Sequence, residues 1–265
     1  MTNSLKSFVS PQFAFFSPNY GEPPFTDPAV AKTFKAGLTT AAQILQANAQ
    51  GSGTHLADDL LVWFRNLSFT EDPDFCQAMG PYLEDNVLRA RIWRVYTLCW
   101  AAKSCLSLPG DFVDIGCYDG KTVDVIRRFC QYRDIEKDYV LYDLFDYHPT
   151  ERSKVNHGPE LYGKVCSMFA DMPRVKVVKG FLPAALDGTL PEKIAFAQID
   201  LNSAAVELDC LRAVLDRMTP GGIIILDDYG FKKYRESQIS QRDLAASYGQ
   251  IIFESASGQG ILIKR

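Results

Sequence analysis

At 265 residues, 47% of them hydrophobic and 23% charged, the chain has the composition of a soluble globular protein with a sizeable core. Its formal net charge of −4 argues against binding nucleic acid through a basic face, and no apolar run is long enough to span a membrane. The seven cysteines form no CxxC pair, which argues against zinc and redox motifs and favours a reducing compartment. The first 25 residues lack the pattern of a signal peptide, so the sequence predicts a cytoplasmic protein.

Residues 1–106 are predicted to form an N-terminal arm and helical extension. Residues 1–30 are rich in proline and aromatic residues without periodicity, and form either an ordered arm or lid or a flexible tail. Apolar residues at helical spacing predict helices over 31–48 and 86–106, with a break at 51–55. We expect this region to shape an acceptor pocket or an interface, and the aromatic arm is compatible with a homodimer.

Beyond residue 106, short apolar runs alternate with helices, which predicts βαβ units and a doubly wound, mostly parallel α/β sheet. Two final apolar runs without a helix between them predict an antiparallel hairpin. Five alternating units followed by a hairpin are typical of the seven-stranded, Rossmann-like sheet of class I methyltransferases, over residues 107–265. The predicted strands are 112–115, 139–142, 175–178, 194–199, 223–226, 250–254 and 261–264, and the helices are 121–132, about 160–170 and 204–218.

The loop DIGCYDG follows the first of these five strands and precedes a helix. Free backbone N–H groups at such a turn can cradle a ligand, although the two glycines of the GxxxG pattern can also simply make a tight turn. A diphosphate is disfavoured, because Tyr118 replaces the close-approach glycine of GxGxxG and Asp119 would repel it. The ammonium and sulfonium of S-adenosylmethionine suit an acidic loop. The expected contacts are Asp114, Gly116, Cys117, Tyr118, Gly120, Lys121 and Thr122.

Two other segments are predicted to contact the nucleoside. Asp143 ends the second strand and can accept both ribose hydroxyls, with Asp146 as the competing residue and a helix cap as the alternative role. The turn after the third strand would lie near the adenine, with Gly180 beside it and Phe181 as a wall.

Three aspartates follow two strands that are neighbours in a sheet of order 3-2-1-4-5. Asp200 ends the fourth strand, and Asp227 and Asp228 end the fifth, so we expect the carboxylates to lie close together. Oxygen ligands of this kind suit Mg²⁺, which would stabilise an alkoxide, while Asp200 serves as both ligand and general base. Alternatively, Asp227 or Asp228 caps the next segment or contacts the cofactor, and no metal binds.

Three core segments resemble the macrocin O-methyltransferase-like family, whose members methylate sugar hydroxyls: FVDIGCYDGKT (112–122), IDLNSAAVELDCLRAVLDRMTPGGIIILDDYG (199–230) and SGQGILIKR (257–265). WFRNLSF (63–69) and ARIWRVYTLCWAA (90–102) resemble the region before the family's core. The resemblance implies S-adenosylmethionine at Asp114, Gly116 and Gly120, and Mg²⁺ at the three aspartates, the first of them the base. The chain departs from the family at Asn202, where many relatives have aspartate, and at Tyr234, near which some have histidine.

Two other classes of function stay open at this point. Tyr229 and Lys233 spell the YxxxK pair of short-chain dehydrogenases, which suggests a sugar oxidoreductase or epimerase, and a non-catalytic cofactor-binding relative is the second alternative. His148 and His157 follow the second strand and either line an acceptor pocket or are polar surface residues. We therefore predict an O-methyltransferase acting on a small sugar-containing acceptor, without nucleic acid or membrane as a partner.

Overall fold

A computed structural model describes residues 27–48, 53–146 and 157–265 of the protein. The chain divides into two compact units, the first ending at Tyr96 and the second covering Thr97–Arg265. Most of the predicted arm over residues 1–30 lies outside the described residues. Within the described ranges, none of the helices combines the length and apolarity that crossing a membrane requires.

The first unit contains helices and a two-stranded hairpin. The hairpin is not predicted from the sequence. The hairpin turn uses Asp58 and Asp59 with left-handed backbone instead of the familiar Asn-Gly or Asp-Gly pair, so its signal is weak. The predicted helix over 86–106 is two helices, because the backbone at Arg91 leaves helical geometry. The elements are α1 (Pro28–Asn48), β1 (Gly53–Ala57), β2 (Leu60–Arg65), α2 (Pro73–Met79), α3 (Asn86–Ala90) and α4 (Ile92–Ser104), which continues into the second unit.

The second unit follows the predicted alternation of strands and helices. One helix, α8, is not among those predicted from the sequence, and it lies between the fifth parallel strand and the terminal hairpin. The elements are β3 (Asp111–Ile115), α5 (Lys121–Phe129), β4 (Tyr139–Asp143), α6 (Glu160–Met168), β5 (Val175–Lys179), β6 (Ile194–Ile199), α7 (Ala204–Leu215), β7 (Met218–Leu226), α8 (Arg235–Ser247), β8 (Phe253–Glu254) and β9 (Gly260–Ile263).

The seven strands form one sheet in the order β5-β4-β3-β6-β7-β9-β8. The first five are parallel and the last two are antiparallel, which confirms the predicted class I methyltransferase architecture. In register, Ile115 pairs with Ile199, and Ile199 pairs with Leu226. The residues that follow these three strands therefore lie at one edge of the sheet.

The middle of the sheet is apolar on both faces. Every residue of β4 and β6 is buried, as expected for central parallel strands covered by helices. Near the amino ends of the strands, the ring of Phe112 packs against Phe196 and Tyr139, with centroids 5.4 and 5.7 Å apart. Burying each such side chain contributes about 1.5–3 kcal/mol, so this packing fixes the strands whose carboxyl ends carry the polar residues.

Candidate active site

The order of the sheet reverses at β3, which has β4 on one side and β6 on the other. In doubly wound folds, ligands bind outside the carboxyl ends of the strands at such a reversal. The predicted cofactor loop follows β3 at this point. Asp143 ends β4 and Asp200 follows β6, so the fold brings three of the predicted site segments to one place.

Both glycines of the loop are required by their surroundings as well as by their backbone angles. Gly116 has a φ of 96°, and a Cβ there would lie 1.9 Å from the backbone oxygen of Asp200. Gly120 has a φ of 72°, and a Cβ there would lie 3.1 Å from the Phe169 ring. The loop therefore approaches the end of β6 more closely than any residue with a side chain allows.

The amides at the centre of this loop bond within the protein, which corrects the prediction of a cradle of free N–H groups. Gly116 and Cys117 both donate to the Tyr142 backbone oxygen, at 2.8 and 3.2 Å. The Tyr118 amide donates to the Asp143 carboxylate at 2.8 Å. The cause is the parallel pairing of β3 with β4, in which Ile115 pairs with Tyr142, so the residues that follow β3 lie beside the end of β4. Donors used in this way do not serve a diphosphate.

Asp143, the last residue of β4, is hydrogen-bonded to the glycine loop. One carboxylate oxygen accepts the Tyr118 amide and the other accepts the Phe145 amide, each at 2.8 Å, and the residue is buried. Asp146, the competing candidate, pairs at the surface with Lys179, at 3.3 Å. The partners of Asp143 are loop amides, so it joins the glycine loop to β4 rather than capping a helix.

The remaining predicted cofactor contacts surround the same edge of the sheet. The Gly180 amide donates to the Asp143 backbone oxygen at 3.0 Å, and the Phe181 side chain is exposed. Lys121 and Thr122 begin α5, where the Lys121 ammonium lies 2.9 Å from the Asp119 carboxylate.

Asp114 is a buried acid with other acids near it. It is 1% exposed, and its Oδ1 has no hydrogen-bond partner among the described residues. Burial, followed by repulsion from Asp143 and Asp227, raises the pKa of Asp114 well above its usual range. Buried acids that lie close together are stable only when a proton or a cation neutralises part of their charge. The position of Asp114 therefore suits a positively charged ligand.

The predicted Mg²⁺ site of three aspartates is not supported. Among the described residues, no group of three or more His, Cys, Asp or Glu side chains is placed to hold a metal ion. Asp227 is 5% exposed, and its Oδ1 accepts the Gln259 side-chain amide at 3.2 Å. Asp228, the next residue, is instead part-exposed. Register brings the backbones together, but it does not set the directions of the side chains.

Glu207 is a buried acid in this region that the sequence analysis misses. It lines a small surface pocket with Asp227 and Asp228. Its Oε2 accepts the Ser237 hydroxyl and the Gln241 amide, the latter at 2.9 Å. Burial raises the pKa of Glu207 to about 7, and repulsion from the two aspartates adds to the shift. Helical spacing of three and four from Cys210 and Leu211 could have identified it as an acid on the buried face of α7.

Comparison with known proteins adds independent support. The family model described as Macrocin-O-methyltransferase (TylF) matches residues 93–245, more than half of the chain. The chain belongs to this family. It is therefore an O-methyltransferase, which removes the dehydrogenase and non-catalytic alternatives.

Two solved structures show the same fold as this O-methyltransferase. The O-methyltransferase NovP is 15% identical with a TM-score of 0.57, and the match covers 66% of this chain and 81% of NovP. CalS11, described as a TDP-rhamnose 3′-O-methyltransferase of calicheamicin biosynthesis, is 20% identical with a TM-score of 0.51, over 74% of this chain and 89% of CalS11. No curated protein matches the chain in sequence.

The two positions where the chain departs from the family pattern contact each other. The Tyr234 hydroxyl donates to Asn202 Oδ1 at 2.7 Å. The YxxxK pair, in contrast, is not on one helix: Tyr229 is buried in a turn after β7, and Lys233 is exposed in a short 3₁₀ turn. The YxxxK motif therefore does not place its tyrosine and lysine one turn apart on a helix, as short-chain dehydrogenases do.

His157, for which the sequence leaves a pocket and a surface role open, lies beside Asp143 and Tyr118. Its Nε2 is 3.9 Å from Asp143 Oδ1, and its ring centroid is 4.9 Å from that of Tyr118. His148, predicted to have a similar role, lies outside the described residues. The sequence gives no spacing that links His157 to the end of β4.

The close approach of Gly116 to the Asp200 backbone predicts that adding one methyl group at residue 116 strongly destabilises the fold. We expect Gly116→Ala to lower the free energy of unfolding by about 2–4 kcal/mol, because the Cβ meets backbone that must shift and the φ is left-handed. Urea unfolding measures the loss. Gly163→Ala is the matched control, since Gly163 lies in α6 with nothing within 4 Å of an added Cβ, and it should be neutral or stabilising. Equal stability of Gly116→Ala and the wild type would contradict the packing described.

Glu207 predicts a pH-dependent difference in stability. Because its folded pKa of about 7 exceeds the usual 4.5, its stabilising contribution is complete below about pH 4.5 and is lost as the pH rises through 7. Between pH 5 and pH 8, the wild type should therefore lose on the order of 2–3 kcal/mol relative to Glu207→Gln, measured by urea unfolding at both pH values. Asp209→Asn, on the exposed face of α7, should show no such difference. A difference between wild type and Glu207→Gln that does not change with pH would contradict the assignment.

Proposed function

We propose that the protein transfers the methyl group of S-adenosylmethionine to a hydroxyl group of a sugar or glycosylated small molecule. One observation carries the cofactor assignment: the buried Asp114 carboxyl has an oxygen without a hydrogen-bond partner among the described residues, and it is repelled by Asp143 and Asp227. S-adenosylmethionine brings an ammonium and a sulfonium, and either charge would neutralise this cluster. A dinucleotide would bring negative charge to the same place.

The reaction needs alignment and a proton acceptor. The acceptor oxygen forms a bond to the methyl carbon while the carbon–sulfur bond breaks, leaving neutral S-adenosylhomocysteine and one proton. Asp200 is the proposed base, because it follows β6 against the glycine loop and is part-exposed. The family resemblance implies Mg²⁺, but the arrangement of the aspartates does not fit a metal site, so no step is assigned to a metal.

The proposed acceptor class rests on the family and on CalS11, which is described as a TDP-rhamnose 3′-O-methyltransferase. A sugar hydroxyl is a poor nucleophile until its proton is removed, which is the role proposed for Asp200. Asn202 lies two residues after Asp200 in the sequence, and the Tyr234 hydroxyl donates to the Asn202 side chain. These two residues form a polar wall beside Asp200. We propose that this wall faces the acceptor.

The assignment predicts both binding and turnover. Calorimetry should detect binding of S-adenosylhomocysteine, and mass spectrometry should detect a gain of one methyl group in a panel that includes TDP-rhamnose, other nucleotide sugars and glycosylated small molecules. Asp200→Asn should reduce turnover by about 10²–10⁴-fold while leaving cofactor affinity unchanged, because it removes the base but not the cofactor contacts. Asp209→Asn serves as the control.

No binding of S-adenosylhomocysteine would overturn the cofactor assignment. Full activity of Asp200→Asn would overturn the base. Parallel assays with EDTA and with added Mg²⁺ separate a metal-assisted reaction from one in which Asp200 acts without a metal.

A further inference from the structure

Three separate segments each contribute one side chain to a cluster around the Asp143 carboxylate. Tyr118 comes from the glycine loop, Asp143 from the end of β4, and His157 from the segment that precedes α6. The Tyr118 and His157 rings lie 4.9 Å apart at an angle of 52°. The Tyr118 backbone is left-handed, with a φ of 47°, and its amide is bound by Asp143. Strained backbone held by a specific bond commonly marks a functional position.

The Asp143 carboxylate has a fixed orientation. Each of its oxygens accepts one backbone amide, from Tyr118 and from Phe145, at 2.8 Å. A carboxylate oxygen has two lone pairs, so each keeps further accepting capacity. The carboxylate therefore cannot rotate freely to meet a ligand, and a ligand hydroxyl must approach it from a defined side.

The His157 ring lies close to this carboxylate without a direct hydrogen bond to it. Its Nε2 is 3.9 Å from Asp143 Oδ1, which is beyond hydrogen-bonding distance. Two polar groups at this separation can be bridged by a hydroxyl group or a water molecule that bonds to both. The imidazole side chain is 22% exposed and that of Asp143 is 10% exposed, so the gap is accessible from the surface.

We propose that His157 is a cofactor-binding residue, and that its imidazole and the Asp143 carboxylate bracket one hydroxyl group of the cofactor's ribose. This inference rests on the proposed use of S-adenosylmethionine. The bracketed hydroxyl would donate to Asp143 Oδ1 and accept from Nε2–H of His157. Only a group that both donates and accepts satisfies the two sides, so the pair would select a ribonucleoside over a deoxyribonucleoside. The Tyr118 ring packs against the imidazole and limits its rotation.

The test uses calorimetry with three ligands: S-adenosylhomocysteine and its 2′-deoxy and 3′-deoxy analogues. His157→Phe keeps a ring against Tyr118 but removes the nitrogen donor. We expect it to weaken S-adenosylhomocysteine binding about tenfold, the range of one hydrogen bond. In the wild type, one of the deoxy analogues should bind about tenfold more weakly, but in His157→Phe that analogue should show a much smaller loss. His157→Gln, which restores a donor, should recover part of the affinity.

A purely structural role for His157 predicts a different result. It would weaken all three ligands by the same factor in His157→Phe, with no rescue by His157→Gln, and this result would overturn the proposal. Unchanged affinity in both variants would also overturn it. Lys164→Ala, at an exposed position of α6, is the control for nonspecific effects. Failure of the wild type to bind S-adenosylhomocysteine would instead refute the proposed function, and this proposal with it.

Discussion

The site depends on mutual repulsion among acids buried at the ends of the central strands. Asp114 is the penultimate residue of β3, Asp143 ends the neighbouring strand β4, and Asp227 follows β7; all three are buried. Burial and the two neighbouring carboxylates keep the pKa of Asp114 high. Glu207, on the helix after β6, has its pKa raised by the same kinds of causes. Such an arrangement favours protons or a cation, which supports the proposed sulfonium cofactor over a diphosphate.

The amides of the glycine loop bond within the protein instead of forming the usual anion-binding cradle. In a dinucleotide fold, the loop amides point at phosphate. Here Gly116 and Cys117 bond back to β4, and Tyr118 bonds to Asp143, so the loop amides hold acidic strand ends in place. The close approach of Gly116 to the end of β6 also brings Asp200 beside the loop. The base proposed for the acceptor hydroxyl is thus positioned by the same contact that shapes the cofactor site.

The sheet order and the segments that meet at the site follow from the sequence, because they depend on apolar periodicity and on parallel register. Side-chain direction does not follow from register. Asp227 and Asp228 are adjacent in sequence, yet only Asp227 is buried, and it is bonded to Gln259 from the terminal hairpin. That tertiary contact, and the approach of His157 to Asp143 across a long connection, leave no local pattern in the chain. Glu207 is different, since helical spacing alone indicates a buried acid.

Burial and the neighbouring acids raise the pKa of Asp114, so a cation that binds beside it should displace a proton. Calorimetric titration of S-adenosylmethionine at several pH values, in two buffers of different ionisation enthalpy, counts the protons exchanged on binding. We expect a pH range in which the wild type releases protons, because a bound cation lowers the raised pKa of Asp114, and in that range less release with weaker binding in Asp114→Asn. Equal affinity and equal proton exchange in the two proteins would contradict this expectation.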